Sequence, residues 1–216
     1  PTFIERYGYF PGQFIGNPNL KPEYSVSYDI GIDQQISDTA SVQLAVFEQR
    51  IDDEIDGFVF DPDTFLFTAS NLETTSKRSG IEFGARWTIS DQIGVNMNYT
   101  YTDASENGAR ELRRPRHAGS LHAHFSFLEA KGRLTLAADD GGTRHDVFFP
   151  PWPEPSEIVT LKNYWLMDLT AQYRVNEVLN LFARASNLLE TEYEQVYGYR
   201  TPGRAVYGGV QVDFGQ

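Results

Sequence analysis

The sequence predicts an all-β protein built as an antiparallel sheet, and three observations carry that expectation. Apolar and polar residues alternate with a period of two through most of the chain, which places successive side chains on opposite faces of a strand. Short and long connections between these runs alternate strictly. The composition favours strands and turns: of 216 residues, 14% are aromatic, with 12 Tyr and 15 Phe, and 18 are Gly. No segment reads as a convincing helix.

The alternation begins with Tyr24, Val26, Tyr28, Ile30 and Ile32 and continues with Val42, Leu44 and Val46. It returns in Ile81, Phe83, Ala85, Trp87 and Ile89, then in Ile93, Val95, Met97, Tyr99 and Tyr101. Leu121, Ala123, Phe125 and Phe127 follow, and later Trp165, Met167, Leu169, Ala171 and Tyr173. The chain closes on Val206, Gly208, Val210, Val212 and Phe214. With shorter runs at Leu134–Ala138 and Leu179–Ala185, this makes roughly nine strands.

The short connections are Ser37–Thr39, Ser90–Gln92, Glu129–Lys131 and Asn176–Glu177. The long ones are Asp56–Phe67, Asp103–Arg116, Asp139–Lys162 and Glu190–Arg204. Strict alternation puts every short turn at one end of the sheet and every long loop at the other, as in bacterial outer-membrane barrels. The strand faces agree. One is aliphatic with aromatics towards its ends, as a lipid-facing wall would be. The other carries Asp, Glu, Arg, Asn and Gln, as a wet lumen tolerates. A soluble antiparallel sheet with one wet face is the competing reading.

The net charge of −12 argues against nucleic-acid binding, which needs a basic surface. The mean hydropathy is −0.43, and no apolar run approaches the roughly 20 residues of a membrane helix. Without cysteine there is neither a disulfide framework nor a thiolate metal site. No nucleophile–base pairing, phosphate loop or dinucleotide fingerprint is present, so an enzyme is not expected.

Several ordered stretches resemble the C-terminal part of the TonB-dependent receptors. Asn17-Pro18-Asn19-Leu20-Lys21-Pro22-Glu23 is similar to a signature of that family, and Pro1–Gly8 resembles the external segment before it. Ser70-Asn71-Leu72 with Gly80-Ile81-Glu82 resembles a barrel strand entry. Asn187–Tyr193 and Tyr197–Arg204 resemble the segments that precede the last strand. The resemblance implies that residues 1–216 are the C-terminal portion of a transmembrane β-barrel that imports a scarce nutrient, cobalamin or a ferric siderophore. The family's barrel has about 22 strands around a plug, and neither that many strands nor a plug is recognisable in this sequence. The implied partners are outer-membrane lipid and lipopolysaccharide, the nutrient, the TonB complex acting through the plug, and the barrel-assembly machinery. No cofactor is implied. A passive porin-like or structural barrel is the alternative, with a soluble β-sheet binding module as a third possibility.

Candidate ligand contacts lie in the long connections. Arg113 and Arg114 belong to the only basic run, suited to an anionic ligand or lipopolysaccharide. His145, Phe148, Phe149 and Trp152 lie in the longest loop, where rigid aromatics give contact area or anchor the protein at the membrane interface. His122 and His124 share a face, but a third ligand at metal-binding spacing is missing. Val210, Val212 and Phe214 resemble the C-terminal signal read by the assembly machinery, although Gly215 and Gln216 follow the aromatic.

Overall fold

The computed structural model describes residues 1–151 and 153–214. One short helix, α1 (Phe3–Tyr7), precedes sixteen strands. They are β1 (Tyr9–Phe10), β2 (Phe14–Ile15), β3 (Tyr24–Ser37), β4 (Ala40–Asp52), β5 (Ile55–Asp61), β6 (Leu66–Asn71), β7 (Ser76–Thr88) and β8 (Ile93–Glu106). Then come β9 (Ala109–Arg110), β10 (His117–Phe127), β11 (Gly132–Gly141), β12 (Arg144–Phe148), β13 (Glu157–Leu161), β14 (Tyr164–Arg174), β15 (Leu179–Ser186) and β16 (Ala205–Val212). The principal sheet is ordered β16-β15-β14-β11-β10-β8-β7-β4-β3, with β9 paired to β8 off that path. It is open, ending on β3 and β16.

Three strand pairs lie inside connections that sequence alternation reads as loops: β5–β6, β8–β9 and β12–β13. The helix α1 also went unforeseen. It is too short for an apolar period, and it starts from a capping box in which Thr2 Oγ1 accepts from the Glu5 N–H at 3.2 Å while Glu5 accepts from the Thr2 N–H.

The chain separates into two compact units. The first comprises Pro1–Asp29, Phe47–Ser79 and Asp103–Glu111. Its small core is Phe14, Leu20 and Ala69, with Ile55 and Phe67 packed against it. Asn17, Leu20 and Asn71 have clear physical roles here. Asn17 donates to the Ala69 carbonyl at 3.1 Å and accepts from the Asn19 N–H at 3.0 Å, which delivers Leu20 into the core. Asn71 accepts from the Lys21 N–H at 2.8 Å and donates to the carbonyls of Lys21 and Asp53. Nearby, Arg78 bridges Glu54 at 3.1 Å and Glu111 at 2.8 Å. Burial opposes the Arg78 charge, but these carboxylates outweigh it and raise its pKa. Burial, and then the charges of Glu54, Glu111 and Asp56, raise the pKa of Glu106.

The second unit comprises Ile30–Val46, Gly80–Thr102 and Leu112–Gln216. Its register sorts side chains into two faces, because directly opposed residues point the same way. One face carries the rows Met97–Leu121–Ala138–Met167, Val95–Ala123–Leu136–Leu169–Ala185 and Ile93–Phe125–Leu134–Ala171–Ala183. The other carries Asn96–His122–Ala137–Asp168, Asn98–Ser120–Asp139–Leu166 and Gly94–His124–Thr135–Thr170–Arg184. The apolar face is uncovered: Ile81, Trp87, Met97 and Phe125 are 40–54% exposed. Four glycines sit directly opposite aromatic rings, Gly94 under His124, Gly132 under Phe127, Gly141 under Tyr164 and Gly209 under Phe182. A Cβ at any of them would collide with the ring, so the bare backbone is the ring's packing surface.

Candidate functional site

A depression of about 770 Å³ lies at the long-connection end of the second unit, between the β13–β14 junction and the 190–203 segment. Its walls include Lys162, Tyr164, Tyr193, Glu194, Tyr197 and Arg200. Tyr164 occupies the polar face opposite Gly141, and its ring meets that of Tyr193 at 4.4 Å. The Gln195 side chain donates to the Tyr164 hydroxyl at 3.2 Å. The Arg144 guanidinium, almost wholly buried, lies 5.0 Å from the Tyr164 ring centre, a cation–π contact.

Two buried polar residues shape the 190–203 wall. Asn187, in a left-handed backbone conformation at φ 50°, ends β15 and turns the chain. Its backbone N–H donates to Asp168 at 2.9 Å, and its side chain both donates to the Thr191 carbonyl and accepts from the Thr191 N–H at 2.9 Å. Asp146 has no exposed surface. Its Oδ1 accepts from Arg113 Nε at 2.8 Å and from the Val147 N–H at 2.9 Å, and its Oδ2 accepts from the Tyr197 N–H at 2.7 Å. One carboxylate thus joins the 112–116 connection, the β12–β13 hairpin and the 190–203 wall. Burial works against its charge, but the Tyr197 and Val147 N–H groups and Arg113 prevail and lower its pKa.

Of the residues anticipated as ligand contacts, Arg113 is held by Asp146, with about half of its side chain still exposed. Arg114 has a partner of its own. The His145 carbonyl accepts from the Arg113 N–H at 2.7 Å, and its ring lies 3.3 Å from Thr160 Oγ1. Phe148 packs on Tyr197 with ring centres 5.2 Å apart. Phe149 stands free at 73% exposure. Trp152 lies outside the described residues. The structure therefore gathers Arg113, His145 and Phe148 around Asp146 and Tyr197, and leaves Phe149 apart.

Val210 and Val212 oppose Leu181 and Leu179 on the edge strand β16, and Phe214 beyond it is 87% exposed. His122 lies 3.7 Å from Asp139 and His124 covers Gly94, and no group of three metal-binding side chains exists among the described residues. Asn187 and Tyr193 stand at the two ends of a stretch that resembles a family segment, and Tyr164 belongs with the aromatics of the longest loop. Asp146, beside His145 in that loop, reads from the sequence as a solvated acid, and the structure buries it instead.

A principal sheet whose rows in the second unit divide into an apolar and a polar face, with two smaller sheets in the connections, defines the class as an all-β protein. Within it, the chain belongs to the family described as TonB dependent receptor-like, β-barrel, whose profile matches residues 1–188. It is 26% identical over 225 residues to the vitamin B12 transporter BtuB of Vibrio cholerae, covering 99% of this chain and 35% of that protein. The BtuB of Vibrio vulnificus is 29% identical over 198 residues, 91% of this chain and 29% of the relative. The chain thus spans about a third of the length of such relatives. Among solved structures, the pyoverdine outer membrane receptor FpvA from Pseudomonas aeruginosa bound to pyoverdine superposes with a TM-score of 0.75 at 19% identity, covering 95% of this chain and 31% of that one. The siderophore receptor PirA from Acinetobacter baumannii gives 0.75 at 19%, covering 93% and 33%. At this identity the structural likenesses establish the fold.

Proposed function

We propose that residues 1–216 form the C-terminal wall and external loops of a TonB-dependent receptor in the outer membrane of a Gram-negative bacterium. The receptor imports a small, scarce nutrient, cobalamin or a ferric siderophore. The observation that carries this reading is the two-faced sheet of a family member. Its apolar rows suit lipid, its polar rows suit a lumen, and the long connections converge at one end.

Closure of the sheet needs further strands to cover the edges at β3 and β16, since open edges in lipid leave backbone groups without partners. In the whole receptor, external loops capture the nutrient, and TonB, drawing on the proton-motive force, acts on a plug supplied by another part of the protein. The tyrosine-lined depression, whose walls Phe148 meets at Tyr197, His145 meets at Thr160 and Arg113 reaches through Asp146, is the part of this chain proposed to touch ligand, with Arg114 and Phe149 as further contacts from the neighbouring connections. Its aromatic and hydroxyl lining suits a polar, partly planar nutrient.

The test is growth of a receptor-deleted strain carrying the intact gene, on limiting cobalamin and separately on limiting chelated iron. Rescue on one source that disappears when TonB is absent supports the reading and names the nutrient class. Rescue independent of TonB would indicate a passive barrel instead.

A further inference from the structure

The opposite end of the second unit's polar face carries a feature that loop capture does not use. At the turns 128–131 and 175–178 lies a depression of about 330 Å³, whose polar lining is Lys131, Arg133, Gln172, Arg174, Asn180 and Gln211. The Arg174 N–H donates to the Lys131 carbonyl at 2.7 Å, so Lys131, just before β11, stands opposite Arg174 at the end of β14. Arg133, two residues along from Lys131, lies opposite Gln172 in the next row. The Phe182 ring, seated on Gly209, forms a further part of the lining.

Like charges directly opposed across a sheet destabilise it. Other cations of the chain are matched with acids, among them Arg78 with Glu54 and Glu111, Arg113 with Asp146, Arg184 with Asp168 and Arg204 with Glu190. Lys131, Arg133 and Arg174 make no ion pair among the described residues. Asp213, just beyond β16, is held by amides, accepting from Asn180 at 3.0 Å and Gln211 at 2.9 Å. Three cations therefore line one depression whose lining holds no acid, in a chain whose net charge is −12.

We infer that this depression is a binding site for a small multivalent oxyanion, a phosphoryl or clustered carboxylate group. The two guanidinium forks grip adjacent oxygens, Lys131 adds a point charge, and the Gln172 amide supplies a further donor. The depression is large enough for one such group and its hydration. The inference stands on the charge arrangement and does not depend on the uptake reading.

The experiment is titration calorimetry of the protein extracted from membranes in detergent, at low ionic strength, with pyrophosphate in one arm and citrate in the other. Binding of either is expected, weakening as salt is added. Stronger binding of pyrophosphate assigns a phosphoryl source, and stronger binding of citrate a carboxylate one. R174Q and K131Q are each expected to weaken binding about tenfold or more. Both should melt no lower than the unaltered protein when no anion is added, because each relieves a like-charge pair; this separates loss of the site from loss of the fold. Failure of the unaltered protein to bind either anion, or unchanged binding by R174Q, overturns the inference.

Discussion

Asp146 accepts three hydrogen bonds while fully buried, so truncating it leaves two backbone N–H groups and one guanidinium without their acceptor. Asp146→Ala should cost about 2–3 kcal/mol of local stability, seen as faster hydrogen exchange at the Tyr197 amide and faster tryptic cleavage after Arg200. Its lowered pKa means that the carboxylate stabilises the fold above the ordinary carboxylate range. That contribution is lost as pH falls through the lowered value, so the 190–203 wall should loosen only in strong acid, with Asp146→Ala loose at every pH. Glu106 has the opposite sign. Its raised pKa makes its contribution complete at low pH and lost as pH rises through the raised value. Glu106→Gln should therefore raise the melting temperature at pH 7, by a margin that shrinks as the medium is acidified. None of this was visible in the sequence, where Asp146 sits beside His145 in a polar, proline-rich stretch and looks solvated. Burial of a loop acid depends on which other loops fold over it, and no local pattern encodes that.

At the level of elements, period-two alternation located the long strands of the principal sheet because each has one apolar and one polar face. It missed the β5–β6, β8–β9 and β12–β13 pairs, whose few residues are too short for a period to emerge. The aromatic–glycine pairs were equally hidden, since they depend on register: Phe127 finds Gly132 only once the turn between them is fixed. That turn runs through Leu128, Glu129 and Ala130, all with positive φ, from 52° to 64°. Left-handed backbone costs L-residues roughly 1–2 kcal/mol each, and glycine is spared. Ala130→Gly should thus stabilise the protein by about 0.5–1 kcal/mol, measurable as a higher urea midpoint in detergent or liposomes. Gly132→Ala should do the reverse, displacing the Phe127 ring at a cost of about 1–3 kcal/mol.

Across the whole molecule, the sequence motifs led to the correct family, and the faces they implied recur in the register of the second unit. Met97 lies mid-strand on the apolar face opposite Leu121. If that face meets lipid as proposed, Met97→Arg should cost about 2–4 kcal/mol in a bilayer, whereas Asn98→Arg on the polar face should be nearly neutral. Equal effects at the two positions, measured by refolding into liposomes, would count against a lipid-facing wall. The identity of the nutrient was not legible, because it resides in loop conformations and in contacts that alternation does not report. The strand order of the principal sheet has a further consequence. Apart from the small pairs within the loops, its strands neighbour one another in the order in which they are synthesised. A meander of this kind can gain or lose a hairpin at either margin while every other pairing survives, so its width can change during evolution in steps of two strands. The same order lets each arriving strand add to the one laid down just before it, without waiting for a distant part of the polypeptide.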